Sequence, residues 1–255
     1  MGPGVVFSLA KSVTKELGDL DEETQKDFVD LARSVLEITI AQKIITDTSN
    51  KQKVILLDGG VLPWVTSSNH SRQYLKELLS QYYVELKLCH PGCLAAVIQN
   101  PRSRALINLL RLLQAKNIED YEHSHSGLHD RDLMLHFLKP GERTAVFQNG
   151  LPVKNLGENE DLHTYFFYTR SIKEILRIEI PEWIAHDQKL LNQVHASIIQ
   201  DSQLLGMPYT LAQAHQHVVV KLDMVEVIKN EAYAAYFNAG GHPNFESIKA
   251  LIKRK

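Results

Sequence analysis

Lys53 to Trp64, KVILLDGGVLPW, constrains this chain more than any other stretch. Val54 to Leu57 is an uninterrupted apolar run that enters Asp58, and Gly59 and Gly60 follow at once. A short apolar run stopped by a turn signal reads as a strand buried on both faces. Its terminal carboxylate leaves the core at a fixed place, and the two glycines let backbone, ligand or metal come close to it. The same letters also suit a solvated turn aspartate, because Asp-Gly is ordinary turn chemistry.

A chain of 255 residues can bury a full core as one large domain. A formal charge of −2 gives no global basic field, so any nucleic-acid contact must come from a local basic patch. Cys89 and Cys93, in CHPGC, are the only cysteines, too few for a disulfide framework or a closed zinc site. They read as structural thiols of a reduced, cytoplasmic protein. No apolar run approaches a membrane span. MGPGVVFSLAKS has no basic segment ahead of its apolar piece, which argues against a secretory signal.

In chain order, an acidic start near Asp19 and Asp21 precedes a helix from about Glu22 to Ile45. Phe28, Leu31, Ala32, Val35 and Ile38 give it one apolar face, and Ile40, Ala41 and Ile44 extend the apolar character around it. Such a helix is expected to be buried, with Glu37 among apolar neighbours, where a lone carboxylate needs a partner or a cation. An exposed Arg33–Glu37 pair at i, i+4 is the competing reading. VLPWVT reads as a further strand, Ser71 to Leu88 as a helix and Cys93 to Ile98 as a buried strand. The polar turn Gln99 to Arg104 carries Arg102 and Arg104 and opens a helix from Ala105 to Gln114. Arginines at such a turn suit phosphate contacts and equally suit plain solvation. Asn117 to Gly127 is a loop whose His123 and His125, with His129 and Asp130 beyond it, lie close in sequence but lack zinc-site spacing. Asp130 to Leu138 is a short helix, and Thr144 to Gln148, Leu162 to Arg170 and Ile175 to Ile180 are strands. Helices follow over Asp187 to Leu205 and Tyr209 to His217, the last merging into Val218 to Ala235. Strands and helices mix without a linker or repeat, which predicts a single α/β domain over residues 1–255, with a mixed sheet flanked by helices.

No serine-nucleophile elbow, P-loop or dinucleotide fingerprint is present, so no organic cofactor is expected. Acidic residues with one or more histidines are the usual equipment for a hard divalent cation. Glu37 on its helix and Asp58 at its strand end can converge as phosphodiester hydrolysis requires.

LLDGGVL, NPRSRALINLL, DRDLMLHFLKPGERTAVF, the strand pair ending RIEIPEWIA, and GMPYTLAQAHQHVVV occur in one order. In that order they resemble NurA-domain nucleases of the bacterial, cyanobacterial-type branch, from about Arg33 to Asp223. The resemblance implies an RNase H-like α/β fold and a manganese-dependent nuclease acting on DNA ends, with Mg²⁺ as an alternative ion. It further implies a homodimer that works with a HerA-type hexameric ATPase in end resection and repair. Carried over by residue, Asp58 matches the internal metal-binding aspartate and Glu37 the acidic position on the preceding helix. His215 matches the C-terminal metal-binding or catalytic histidine, and Tyr209 the tyrosine before it. Arg102 and Arg104 fall in the family's basic segment, as DNA contacts, and Arg143 in its P-G-E-R stretch.

The family also carries an N-terminal strand with an aspartate in a V-D-G-S-type motif, and nothing before Glu37 fits it. Asp19, Asp21, Asp27 and Asp30 lie in or beside the helix, so the chain reads as N-terminally truncated relative to the family. Two functions are therefore carried forward: a metal-dependent nuclease, and a non-catalytic DNA- or ATPase-binding subunit that has lost part of its metal site.

Overall fold

The computed structural model describes residues 22–47, 53–63, 72–114, 127–150 and 163–218, and residues 226, 227, 230, 231, 234 and 238. The expectations for Gly2–Ala10, His123, His125 and the N-terminal acidic motif lie outside these residues. The chain divides into two compact units, Met1–Leu211 and Ala212–Lys255.

Helix α1 spans Glu22–Thr46 and strand β1 spans Val54–Asp58. They are followed by α2 (Arg72–Leu88), β2 (Cys93–Ile98), α3 (Ala105–Gln114) and α4 (Asp130–Phe137). The short β3 (Phe147–Gln148) leads to a hairpin of β4 (Thr164–Arg170) and β5 (Ile175–Pro181). One turn of helix, α5 (Glu182–Ala185), precedes α6 (Gln188–Asp201) and α7 (Tyr209–Val218). The strands form one mixed sheet in the order β1-β2-β5-β4-β3. β1 and β2 are parallel, joined through α2, and the remaining pairs are antiparallel.

Strand alternation divides the sheet between two cores. Leu57 and Ala96 turn toward α1 and α2, whose Leu31, Val35, Ile38, Leu75, Leu79 and Leu86 close the first core. Phe166 and Tyr168 lie on that same face and pack on Leu106 of α3 and Met134 of α4. Val97, Phe167, Leu176, Ile178 and Ile180 face the other way, onto Leu191, Val194 and Ile198 of α6. Asp187 caps α6 by accepting from the Lys189 and Leu190 amides, which ends the upstream turn and starts the helix.

Three expectations are corrected. β1 is the outermost described strand and is half-buried over most of its length, so its apolar run does not mark a strand covered on both faces. Val61 and Leu62 lie in a bend, not a strand, because Val61 anchors a turn described below. α1 is not buried all round: Leu36, Ile40 and Ile44 are exposed, and Glu37 pairs with Arg33 at 3.6 Å. The reason is position, since α1 forms an outer layer and meets the core along one stripe, Leu31, Val35, Ile38 and Ala41, flanked by Phe28, Ala32 and Ile45.

The strand expected from Thr144 is regular only at Phe147–Gln148, although Arg143 bridges Thr169 and the Thr144 amide donates to Tyr168 O. Of the long helix expected to Leu205, Ser202 onward is turn, ended by Gly206 at φ +83°. Both cysteines are buried free thiols, and burial pushes the Cys89 thiol up to about 12, so they are packing groups. Among the described residues no helix is long and apolar enough to cross a membrane.

Candidate active site

Ligands of open α/β sheets bind at the carboxyl ends of the parallel strands. Here those ends belong to β1 and β2, and each runs into one of the two loops singled out above. Asp58 pairs with Val97, so Asp58-Gly59-Gly60 and the turn Gln99–Arg104 emerge side by side.

The first loop is fastened at three points. The Gly59 amide donates to Val97 O at 3.1 Å, with Gly59 at φ +103°, a conformation that favours glycine. The Val61 amide donates to Glu179 Oε2 at 3.2 Å, and the buried Tyr82 hydroxyl donates to Val61 O. Gly60 passes Glu179 so closely that a Cβ there would lie 3.2 Å from Oε2. The side chain of Asp58 stands exposed at the rim.

The second loop is held by α4 and β4. Asn100 takes φ 49°, turning the chain away from β2. Ser103 O accepts from the Asp130 amide at 2.9 Å, and the His129 ring bonds Arg102 O through Nδ1 at 2.9 Å. Asp130 is wholly buried and accepts from the Ile107 amide at 3.0 Å and the Tyr168 hydroxyl at 2.9 Å. It thereby caps the start of α3. His129 and Asp130 thus build the arginine turn rather than a metal site. Arg102 is left exposed; Arg104 is half-buried, with an Nε that has no hydrogen-bond partner among the described residues.

Charge accumulates beside the first loop. Partial burial raises the Glu37 carboxyl above its ordinary range, Arg33 pulls it back, and the Asp58 charge raises it further. Burial raises the Tyr82 phenol strongly, with further contributions from Cys89, Tyr83, Glu37 and Glu179. Of the residues read from sequence as catalytic, Glu37 and Asp58 are the pair of which one feels the charge of the other. Tyr209 is exposed at the start of α7. His215 is exposed further along that helix and falls in the second unit. Arg143 places its guanidinium 5.7 Å from the Phe167 ring centroid and donates to Thr144 O, a structural role.

Tyr82, Arg177 and Glu179 were not legible as site residues. Tyr82 sits in register with the leucines of α2, and Arg177 and Glu179 alternate with apolar residues as on any half-exposed strand. Both of the latter are in fact buried, each 7% exposed.

An exposed carboxylate at a strand end, with a second on the neighbouring helix that feels its charge, fits a hard divalent cation. Mg²⁺-like ions are commonly held by one or two protein carboxylates, with waters and substrate phosphates completing the shell. Among the described residues no group of three or more His, Cys, Asp or Glu side chains could enclose a metal. The pair therefore suits an open site, not a closed one.

The NurA domain profile matches residues 10–220. The fold is similar to that of the NurA nuclease from Sulfolobus solfataricus, with a TM-score of 0.55 at 15% identity, over 86% of this chain and 70% of that one. At that identity the likeness establishes the mixed α/β fold and nothing finer. No curated protein matches the chain.

Proposed function

Since the chain belongs to the NurA domain family, we propose that it is a metal-dependent nuclease that hydrolyses phosphodiester bonds at DNA ends. The single observation that carries the reading is the placement of Asp58, at the carboxyl end of β1, beside the Arg102–Arg104 turn that follows the parallel neighbour β2, with Glu37 of α1 near enough to feel the Asp58 charge. In this reading Asp58 and Glu37 hold the cation, Mn²⁺ or Mg²⁺. When bound, the cation supplies positive charge to the phosphate and lowers the pKa of water. Arg102 and Arg104 bind and orient the DNA backbone by charge-assisted hydrogen bonds. For His215, as metal ligand or proton carrier, and for Tyr209, the reading rests on the family resemblance alone. Action as a homodimer with a HerA-type hexameric ATPase, in the cytoplasm, belongs to the same proposal. Its support is the family for the assembly and the two free thiols for the compartment.

The second reading, a non-catalytic subunit that binds DNA or the ATPase, draws on one observation: among the described residues no three His, Cys, Asp or Glu side chains form a group that could hold a metal ion. Cleavage of end-labelled single- and double-stranded DNA with Mn²⁺, Mg²⁺ or EDTA separates the readings. Metal-dependent cleavage supports the nuclease; DNA binding without cleavage under every condition supports the subunit.

A further inference from the structure

The buried Arg177–Glu179 pair has no part in the chemistry above. Arg177 Nη2 and Nε donate to Glu179 Oε1 at 2.9 and 3.1 Å, and the guanidinium lies 3.8 Å from the Phe166 ring centroid. A buried ion pair is weak evidence for stability, because a well-packed apolar pair often serves as well or better. Its other bonds point to a different use. The second carboxylate oxygen, Oε2, receives the Val61 amide, three residues after Asp58. The free end of the guanidinium, Nη1, donates to Ser103 Oγ at 3.3 Å, between Arg102 and Arg104. Each member of the pair therefore grips one of the two loops of the candidate site.

We infer that Glu179 is a positioning residue for Asp58, and that Arg177 ties the same device to the arginine turn, fixing the metal-binding carboxylate relative to the phosphate-binding arginines. The loops are also linked through the short β1–β2 pairing at their bases. The inference rests on the nuclease reading for its catalytic consequence. The tether itself is independent of that reading.

The test uses the full chain in three variants. Arg177→Leu/Glu179→Leu removes the tether without orphaning a charge. Gly60→Ala pushes a methyl against Glu179 Oε2 while leaving the pair intact. Glu179→Gln retains an oxygen for the Val61 amide. Thermal unfolding, kcat and KM on end-labelled DNA, and amide exchange at residues 58–62 and 100–104 are measured in each. The double variant leaves the buried Val61 amide without its acceptor, so its unfolding midpoint should fall slightly while it stays folded under assay conditions, and it should lose about 100-fold in kcat, the scale of a misplacement near 1 Å. KM should stay within about threefold, since the lost interaction acts in the transition state. Exchange at residues 58–62 should rise at least about 10-fold, a loss of local protection that leaves β4 unchanged. Gly60→Ala should reproduce the kcat loss in part, and Glu179→Gln should be the mildest. Wild-type kcat in both the double variant and Gly60→Ala overturns the catalytic consequence; so does a kcat loss shared by an equal loss of global stability. Unchanged exchange at residues 58–62 in the double variant overturns the tether. If the wild type itself does not cleave, the nuclease reading fails, and the exchange result alone decides the tether.

Discussion

Asp130 offers the sharpest energetic test, because every bond it makes is buried. Its carboxylate accepts from the Ile107 amide at 3.0 Å and from the Tyr168 hydroxyl at 2.9 Å, and the residue has no exposed surface. Asp130→Ala removes the acceptor that both donors use. Each orphaned buried group costs about 1–3 kcal/mol, so the variant should lose about 2–6 kcal/mol. That is a large part of the about 5–15 kcal/mol of an ordinary domain. Tyr168→Phe removes one donor and takes a hydrogen bond from a charged acceptor. In Asp130→Ala/Tyr168→Phe only the Ile107 amide is left orphaned, so the double variant should be more stable than the sum of the singles. The coupling should be about 1.5–3 kcal/mol, the worth of one hydrogen bond to a charged group. Denaturant unfolding of the wild type and the three variants gives the cycle. A loss under about 1 kcal/mol in Asp130→Ala, or strictly additive singles, would refute the view that Asp130 fastens α3 and the arginine turn through these bonds. Because that turn presents Arg102, Asp130→Ala should also raise KM for DNA while the protein remains folded.

Three further outcomes follow from the charges. The Glu37 carboxyl, raised by burial and by Asp58, should titrate lower in Asp58→Asn and higher in Arg33→Ala when followed by NMR. Because its folded pKa lies above its unfolded value, the folded state binds the extra proton between the two. Stability should therefore fall as pH rises from near 4.5 to the folded value, and Glu37→Gln should flatten that slope in pH-dependent unfolding. His195 has the opposite sense: burial and then Arg143 hold its imidazole below 6.5. The unfolded chain takes up that proton first, so stability should drop as pH falls through about 6.5, and His195→Gln should remove the drop. Thr169 Oγ1 donates to Glu142 O and also meets His195 Nε2 at 3.0 Å, so the neutral ring carries its proton on Nε2. Arg102→Ala should weaken DNA binding uniformly across sequences and reduce the magnitude of the slope of log affinity against log salt by about 0.7–0.9, as expected for one lost phosphate contact.

The elements that sequence resolved well are those with strong punctuation. α1 begins and ends within a residue of the expected span, and β2 and α3 match theirs. Short apolar runs stopped by Asp-Gly or Asn-Pro carry their own boundaries. What failed was burial. The apolar residues of α1 that spread beyond one stripe predicted an enclosed helix, yet an outer-layer helix leaves Ile40 and Ile44 in solvent. The alternation of Leu176, Arg177, Ile178, Glu179 and Ile180 is the pattern of a strand with one polar face. That face is roofed by other elements, and the two charges neutralise each other there. Period-2 patterning reports which residues share a face, not whether the polar face meets water. For the same reason Tyr82 was indistinguishable from a core aromatic, and its bond to Val61 became visible only when β1 and α2 were brought together. Asp58 was singled out by its position at a strand end, and Glu37 by its helix. That the Asp58 charge reaches Glu37 is a tertiary effect.

The most direct test of the central claim compares the wild-type chain with Asp58→Asn on end-labelled duplex DNA in Mn²⁺, with binding and cleavage measured on the same samples. The account predicts cleavage by the wild type that EDTA stops, lost in the variant by at least about 100-fold while DNA affinity stays within a few-fold. Equal cleavage by both proteins would contradict it, because Asp58 would then hold no ion that the reaction needs.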